Sequence, residues 1–185
     1  NDFAGLVLSQ RNIVIFGSAS ESASSSAFVR AIDKTGNQQW KLSLDAGAEE
    51  IATAATTDAT GNIWIAGSFS RALTQIVESA TVTPALNPDE VINEVVQGIR
   101  EDMDSVEVWK VSPQGELLAS FDLKMDYPAL ITAIAVDKSG LSLVGLTNVG
   151  EGSVGVLLNC SIAGVCNSPI FIGMKDTSLD GVVRR

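Results

Sequence analysis

A glycine that closes a short apolar strand recurs along the chain at matched intervals, and this periodicity limits the fold more than any other feature. Asn12-Ile13-Val14-Ile15-Phe16-Gly17 returns as Asn62-Ile63-Trp64-Ile65-Ala66-Gly67, and again as Leu141-Ser142-Leu143-Val144-Gly145. Turn glycines form a second series: Asp33-Lys34-Thr35-Gly36, Asp58-Ala59-Thr60-Gly61, Ser112-Pro113-Gln114-Gly115, Asp137-Lys138-Ser139-Gly140 and Ser161-Ile162-Ala163-Gly164. In such turns Asp bonds its own backbone two residues on, and Gly accepts positive φ. Gly17 to Gly36 and Gly145 to Gly164 are both steps of 19; Gly36 to Gly61 and Gly115 to Gly140 are both steps of 25. Only Gly67 to Gly115, at 48, departs, by an excess of 29. The period is therefore about 50 residues with one insertion.

Each period holds four short runs that read as strands. They fall at 3–8, 13–16, 27–32 and 38–44, then at 51–57, 63–66, 106–111 and 117–123, then at 131–136, 141–144, 154–158 and 169–172. Four antiparallel strands per repeat of this length is the unit of a β-propeller blade. The expected fold is all-β: a partial β-propeller of three four-stranded antiparallel blades plus the first strand of a fourth, with one helical insertion. Blade 1 spans 1–50, and blade 2 spans 51–130 with the insertion at about 70–104. Blade 3 spans 131–178, and a further blade starts at 179–185. Propellers close with four to eight blades, so the expected partners are the remaining blades, from the same protein or from another copy.

The run Ala27-Phe28-Val29-Arg30-Ala31-Ile32-Asp33-Lys34-Thr35-Gly36, then Trp40, then residues 51–67, resembles the SBBP-type bacterial β-propeller repeat. Ile131-Thr132-Ala133-Ile134-Ala135-Val136-Asp137-Lys138-Ser139-Gly140 resembles its second half again. The third unit departs from the pattern: the Asn after the turn Gly is missing, and a Cys pair replaces an Asp turn. The resemblance implies a fold and an extracytoplasmic setting within larger bacterial proteins, and it implies no activity.

The insertion is where a recognition element is expected, because loops carry recognition on a rigid scaffold; the alternative is a helix that only packs its apolar face on the blade and shows its charges to water. Asn87-Pro88-Asp89-Glu90 reads as a helix start, with Asn as cap and Pro at the first helical position. Val91, Ile92, Val95, Val96 and Ile99 then share one face. Asp89, Glu90, Glu94, Glu101, Asp102 and Asp104 are the residues expected to meet a protein or glycan partner. Glu101, Asp102 and Asp104 could also offer oxygen ligands to Ca²⁺, but the spacing of a calcium loop is missing. Likewise nothing in the spacing marks Asp45 with Glu49 or Glu50 as an acid–base pair.

Composition removes several chemistries. The chain has no histidine, which excludes Ser-His-Asp and Cys-His triads and every His-containing metal site. Its 12 Lys and Arg against 22 Asp and Glu give a net charge of −10, which repels phosphate backbones, so nucleic acid is not an expected partner. No run of about 18 apolar residues occurs, so no membrane span is expected. No catalytic residue, cofactor site or metal site is expected. The three tryptophans, Trp40, Trp64 and Trp109, are expected to fill space between blades rather than to stack on sugars. Residues 18–26, almost all Ser and Ala, read as a flexible loop.

Cys160 and Cys166 flank a turn-like segment, where a disulfide across a hairpin would contribute about 2 kcal/mol. A disulfide favours an extracytoplasmic location: secreted, periplasmic or cell-surface. The chain opens at Asn1 without a leader, and both ends fall in strand-like runs, so it is expected to be a piece of a longer protein or a unit that assembles with copies of itself. The expected function is a non-catalytic scaffold or binding module of a larger secreted or cell-surface bacterial protein. The alternative is a propeller enzyme, such as a quinoprotein-like oxidoreductase or a polysaccharide lyase, whose catalytic residues lie outside this chain.

Overall fold

The computed structural model describes residues 2–10, 12–21, 24–44, 49–70, 103–149, 152–174 and 176–184. Their twelve strands form three four-stranded antiparallel sheets, each a simple meander in chain order. Sheet 1 holds β1 (Asp2–Ser9), β2 (Asn12–Glu21), β3 (Ser24–Ile32) and β4 (Gln38–Leu44). Sheet 2 holds β5 (Glu49–Thr57), β6 (Ile63–Ser70), β7 (Ser105–Val111) and β8 (Leu117–Lys124). Sheet 3 holds β9 (Ala129–Asp137), β10 (Gly140–Val149), β11 (Gly152–Cys160) and β12 (Ile170–Ile172).

Two-residue alternation decides how the sheets stack, because successive side chains leave a strand on opposite faces. In β6 every residue is buried. Ile63 and Ile65 enter one core with Val14, Phe16, Val29 and Leu44 of sheet 1. Trp64 and Ala66 enter the other, with Ile131, Leu141, Leu143 and Leu158 of sheet 3. Each such large side chain contributes about 2 kcal/mol on burial. The tryptophans behave as expected: Trp64 and Trp109 are each 1% exposed, one in each core.

The repeated strand-closing glycines have a steric cause. A Cβ on Gly17 would stand 2.0 Å from the carbonyl oxygen of Asp2, on Gly67 2.0 Å from that of Ile51, and on Gly145 1.9 Å from that of Leu130. At each of these points the register between the first two strands of the sheet shifts by a bulge. The first strand bends there, and only a residue without a side chain lets it approach so closely.

The sheets are also keyed to one another. Trp40 of β4 lies on Gly115, in the turn between β7 and β8, and its Nε1 donates to the Pro113 carbonyl at 3.0 Å. Phe121 of β8 lies in the same way on Gly164, in the turn between β11 and β12. Both glycines hold a positive φ, 89° and 83°, and a β-carbon on either would overlap the ring.

Three expectations need correction or placing. Most of the expected helical insertion at 70–104 lies outside the described residues, which contain no helix; β6 runs through Ser70, and Met103 and Asp104 already lead into β7. The serine-rich run is hairpin rather than loop, because Ala19, Ser20 and Glu21 pair with Ser26, Ser25 and Ser24. Residues 179–184 form no strand; the chain there crosses sheet 3, with the Leu179 amide donating to the Gly145 carbonyl and Thr132 Oγ1 donating to the Leu179 carbonyl.

Gly145→Ala is expected to cost at least about 2–3 kcal/mol in urea unfolding, from the clash with the Leu130 carbonyl. Gly181→Ala, where a β-carbon meets nothing within 4 Å, should stay within about 0.5 kcal/mol. Equal costs at the two sites would remove the steric reading of the repeat.

Candidate functional site

The hairpin turns build the site. Asp33-Lys34-Thr35-Gly36-Asn37 and Asp58-Ala59-Thr60-Gly61-Asn62 carry the same hydrogen bonds. One carboxylate oxygen, Asp33 Oδ1 or Asp58 Oδ1, accepts from the Thr amide at 2.8 or 2.9 Å, the Thr hydroxyl at 2.6 Å and the Asn amide at 3.0 Å. Asp58 Oδ2 accepts further from Asn62 Nδ2 at 3.0 Å and Trp64 Nε1 at 3.1 Å. Asp137 accepts from the Ser139 amide and hydroxyl and from the Gly140 amide, and forms an ion pair with Arg184, whose Nε stands 3.1 Å from Oδ1. The structural reading of these three Asp residues from sequence therefore holds, and the Thr and Asn partners extend it.

Between sheets 2 and 3, where two of these turns meet, lies a cavity of about 790 Å³. Asp58, Ala59 and Thr60 bound it on one side, Val136 to Ser139 on another, with Trp64, Lys110 and Ile162 completing the wall. Ile162 belongs to the turn closed by the Cys160–Cys166 disulfide, whose Cα atoms are 3.9 Å apart. The Lys110 ammonium stands 4.9 Å from the Trp64 ring centroid, a cation–π contact.

Charge in the cavity is unevenly committed. Partial burial pushes the Asp58 carboxyl upward, but the bonds from Thr60, Trp64 and Asn62 outweigh it and hold the group well below the usual carboxylate range. Bonds from Ser139, with help from Arg184, hold Asp137 down to about 2. Asp58 bonds the protein through both carboxylate oxygens and Asp137 through Oδ1. Among the described residues, neither Lys110 nor Lys138 has an ion pair. The arrangement therefore offers two ammonium groups over a mainly apolar wall, and suits a ligand that brings its own carboxylate.

Sequence reasoning did not find this cavity, since its lysines lie 28 residues apart on different sheets. Of the acids expected to meet a partner, Asp89, Glu90, Glu94, Glu101 and Asp102 lie outside the described residues. Asp104 lies just before β7, where its carboxylate accepts from Ser105 Oγ at 3.0 Å. Asp45 is also outside the described residues, whereas Glu49 and Glu50 lie in β5, Glu50 only 1% exposed. The expected disulfide is present. Among the described residues, no group of three or more metal-ligating side chains occurs, and no helix is long and apolar enough to cross a membrane.

Asp58→Asn would turn an amide NH₂ toward the Asn62 and Trp64 donors and is expected to cost about 2 kcal/mol. Asp33→Asn, whose Oδ2 meets only Gln39, should cost far less. The lowered Asp137 pKa stabilises the fold above the ordinary carboxylate value of about 4, and that stabilisation is lost as pH falls toward about 2. Carbon-detected NMR should place the Asp137 midpoint near 2, and Arg184→Ala should raise it; a midpoint that ignores Arg184 would remove that ion pair as a cause.

No family model matches the chain, and no curated protein matches it. Among solved structures it is similar to a protein of unknown function from Bacteroides caccae, at 12% identity and a TM-score of 0.52. The match covers 94% of this chain and 47% of that one, so the chain spans about half the length of the structure it resembles, and the likeness concerns the fold alone.

Proposed function

We propose that the three sheets are blades of a partial β-propeller of the SBBP-like kind, and that they serve as a non-catalytic binding module of a larger extracytoplasmic bacterial protein. The module recognises a carboxylate carried by a protein or glycan partner. The observation that carries this reading is the cavity between sheets 2 and 3, where, among the described residues, Lys110 and Lys138 make no ion pair while Asp58 and Asp137 are hydrogen-bonded within their own turns. The site is held by sheet hydrogen bonds, a disulfide and the Trp64–Asp58 bond, so a ligand meets groups already ordered. The disulfide also supports an oxidising compartment.

Calorimetric titration with an oligogalacturonate and with a poly-glutamate peptide tests the reading. Saturable binding of one of them is expected, weakened about tenfold or more in the Lys110→Ala, Lys138→Ala double variant, since two partly exposed charge pairs are worth about 1 kcal/mol each. Lys34→Ala, in a turn of sheet 1, should leave affinity unchanged. Binding that persists in the double variant, or no binding of either probe, would overturn it.

A further inference from the structure

The interface between sheets 1 and 2 and that between sheets 2 and 3 repeat one another position by position, and they differ where the cavity opens. The turns Ser112-Pro113-Gln114-Gly115 and Ser161-Ile162-Ala163-Gly164 carry the same bonds. In each, the glycine amide donates to the serine carbonyl at 3.0 Å, and the serine hydroxyl accepts from the amide four residues on at 3.1 Å. The ladders correspond too. In sheet 1, Trp40 pairs with Ala31, and Ala31 with Val14; in sheet 2, Ala119 pairs with Lys110, and Lys110 with Trp64. Ile162 therefore stands where Pro113 does, Lys110 where Ala31 does, and Ala119 where Trp40 does.

Between sheets 1 and 2 this space is full. The Trp40 ring lies on Gly115, its Nε1 donates to the Pro113 carbonyl, and Ala31 beside it is wholly buried. Between sheets 2 and 3, three exchanges empty the space and charge it. Ala119 brings no ring; Phe121, two residues further along β8, takes over the contact with the turn glycine but has no N–H to donate. Lys110 takes the place of Ala31. Lys138 takes the place of Ala59, since Asp137-Lys138-Ser139 is the turn that matches Asp58-Ala59-Thr60. The result is the cavity of about 790 Å³ bordered by Lys110, Lys138, Trp64 and Ile162.

We infer that this cavity receives the C-terminal aromatic residue of a protein partner, its ring in the place that Trp40 fills in the neighbouring interface and its carboxylate toward Lys110 and Lys138. A ring gains most from an apolar wall, and two ammonium groups beside that wall select a carboxylate. Only at a C-terminus does one amino acid carry both, a few bonds apart. A uronate brings the charge without the ring, and an internal aromatic residue brings the ring without the charge. An indole would also meet the Ile162 carbonyl where Trp40 meets that of Pro113. The inference rests on the carboxylate reading and narrows it to one class of ligand.

Calorimetric titration of the 185-residue chain with three N-acetylated glycine-rich peptides tests it: one ending in tryptophan, one ending in alanine, and the tryptophan peptide closed as an amide. The first should bind, and loss of the ring or of the charge should each weaken binding about tenfold or more. Equal affinity for the tryptophan and alanine acids would overturn the inference and leave the carboxylate reading standing. An amide that binds as tightly as the acid would overturn both. No binding of the tryptophan acid would overturn the inference, and the poly-glutamate titration then decides the carboxylate reading by itself. Ala119→Trp places an indole where sheet 1 has one, at an exposed position, and circular dichroism checks that the variant is folded. It should close the cavity and weaken the tryptophan acid about tenfold or more, and undiminished binding in the folded variant would overturn the inference. The comparison of peptides on the unaltered chain decides the matter even where that variant does not fold.

Discussion

The close approach of a carbonyl oxygen to a bare α-carbon underlies the whole architecture. At Gly17, Gly67 and Gly145 the first strand of a sheet comes within about 2 Å of where a β-carbon would stand. That approach accompanies the bulge and the bend that follows it. By bending, β5 and β9 reach back over the preceding sheet while remaining paired in their own. Each therefore belongs to two layers, and the alternation of β6 can send Ile63 one way and Trp64 the other. A methyl group at the glycine would force the strands apart and weaken both cores together.

Turn chemistry supplies a second, independent fastening. The Asp58 carboxylate caps its hairpin and, through Trp64 Nε1, also orients a ring that fills the core between sheets 2 and 3. The same side chain thus links a local conformation to a contact between layers. At Asp33, where the outer oxygen meets Gln39 on the surface, that link is missing. The difference explains why two five-residue turns that differ only at Lys34 and Ala59 carry different energetic weight.

Much of this was legible in the sequence because it is local. Glycine spacing, Asp turns and strand alternation each involve residues within a few positions, and the twelve strands fall where those signals put them. What escaped detection is non-local. Trp40 on Gly115 joins residues 75 positions apart, and neither residue type announces its partner. The cavity depends on Lys110 and Lys138 arriving from different sheets, which periodicity alone cannot specify. The misreading of residues 18–26 has a different cause. Serine favours loops on average, but pairing with a strand already set by Ile13 to Gly17 carries the hairpin outward through Ala19 and Ser26.

The ladder between β6 and β7 stays in register up to Phe69 and Ser105, although 34 residues separate Ser70 from Ser105; the matching connection in sheet 3, from Val149 to Gly152, has two. Closing the longer excursion costs only about 2.5 kcal/mol more by the logarithmic dependence of loop entropy on length. That is comparable to the contribution of about 2 kcal/mol expected from a small-loop disulfide such as Cys160–Cys166. The hairpin tip is thus a position where new chain can be acquired during evolution at a thermodynamic cost that one covalent bond elsewhere in the domain would balance.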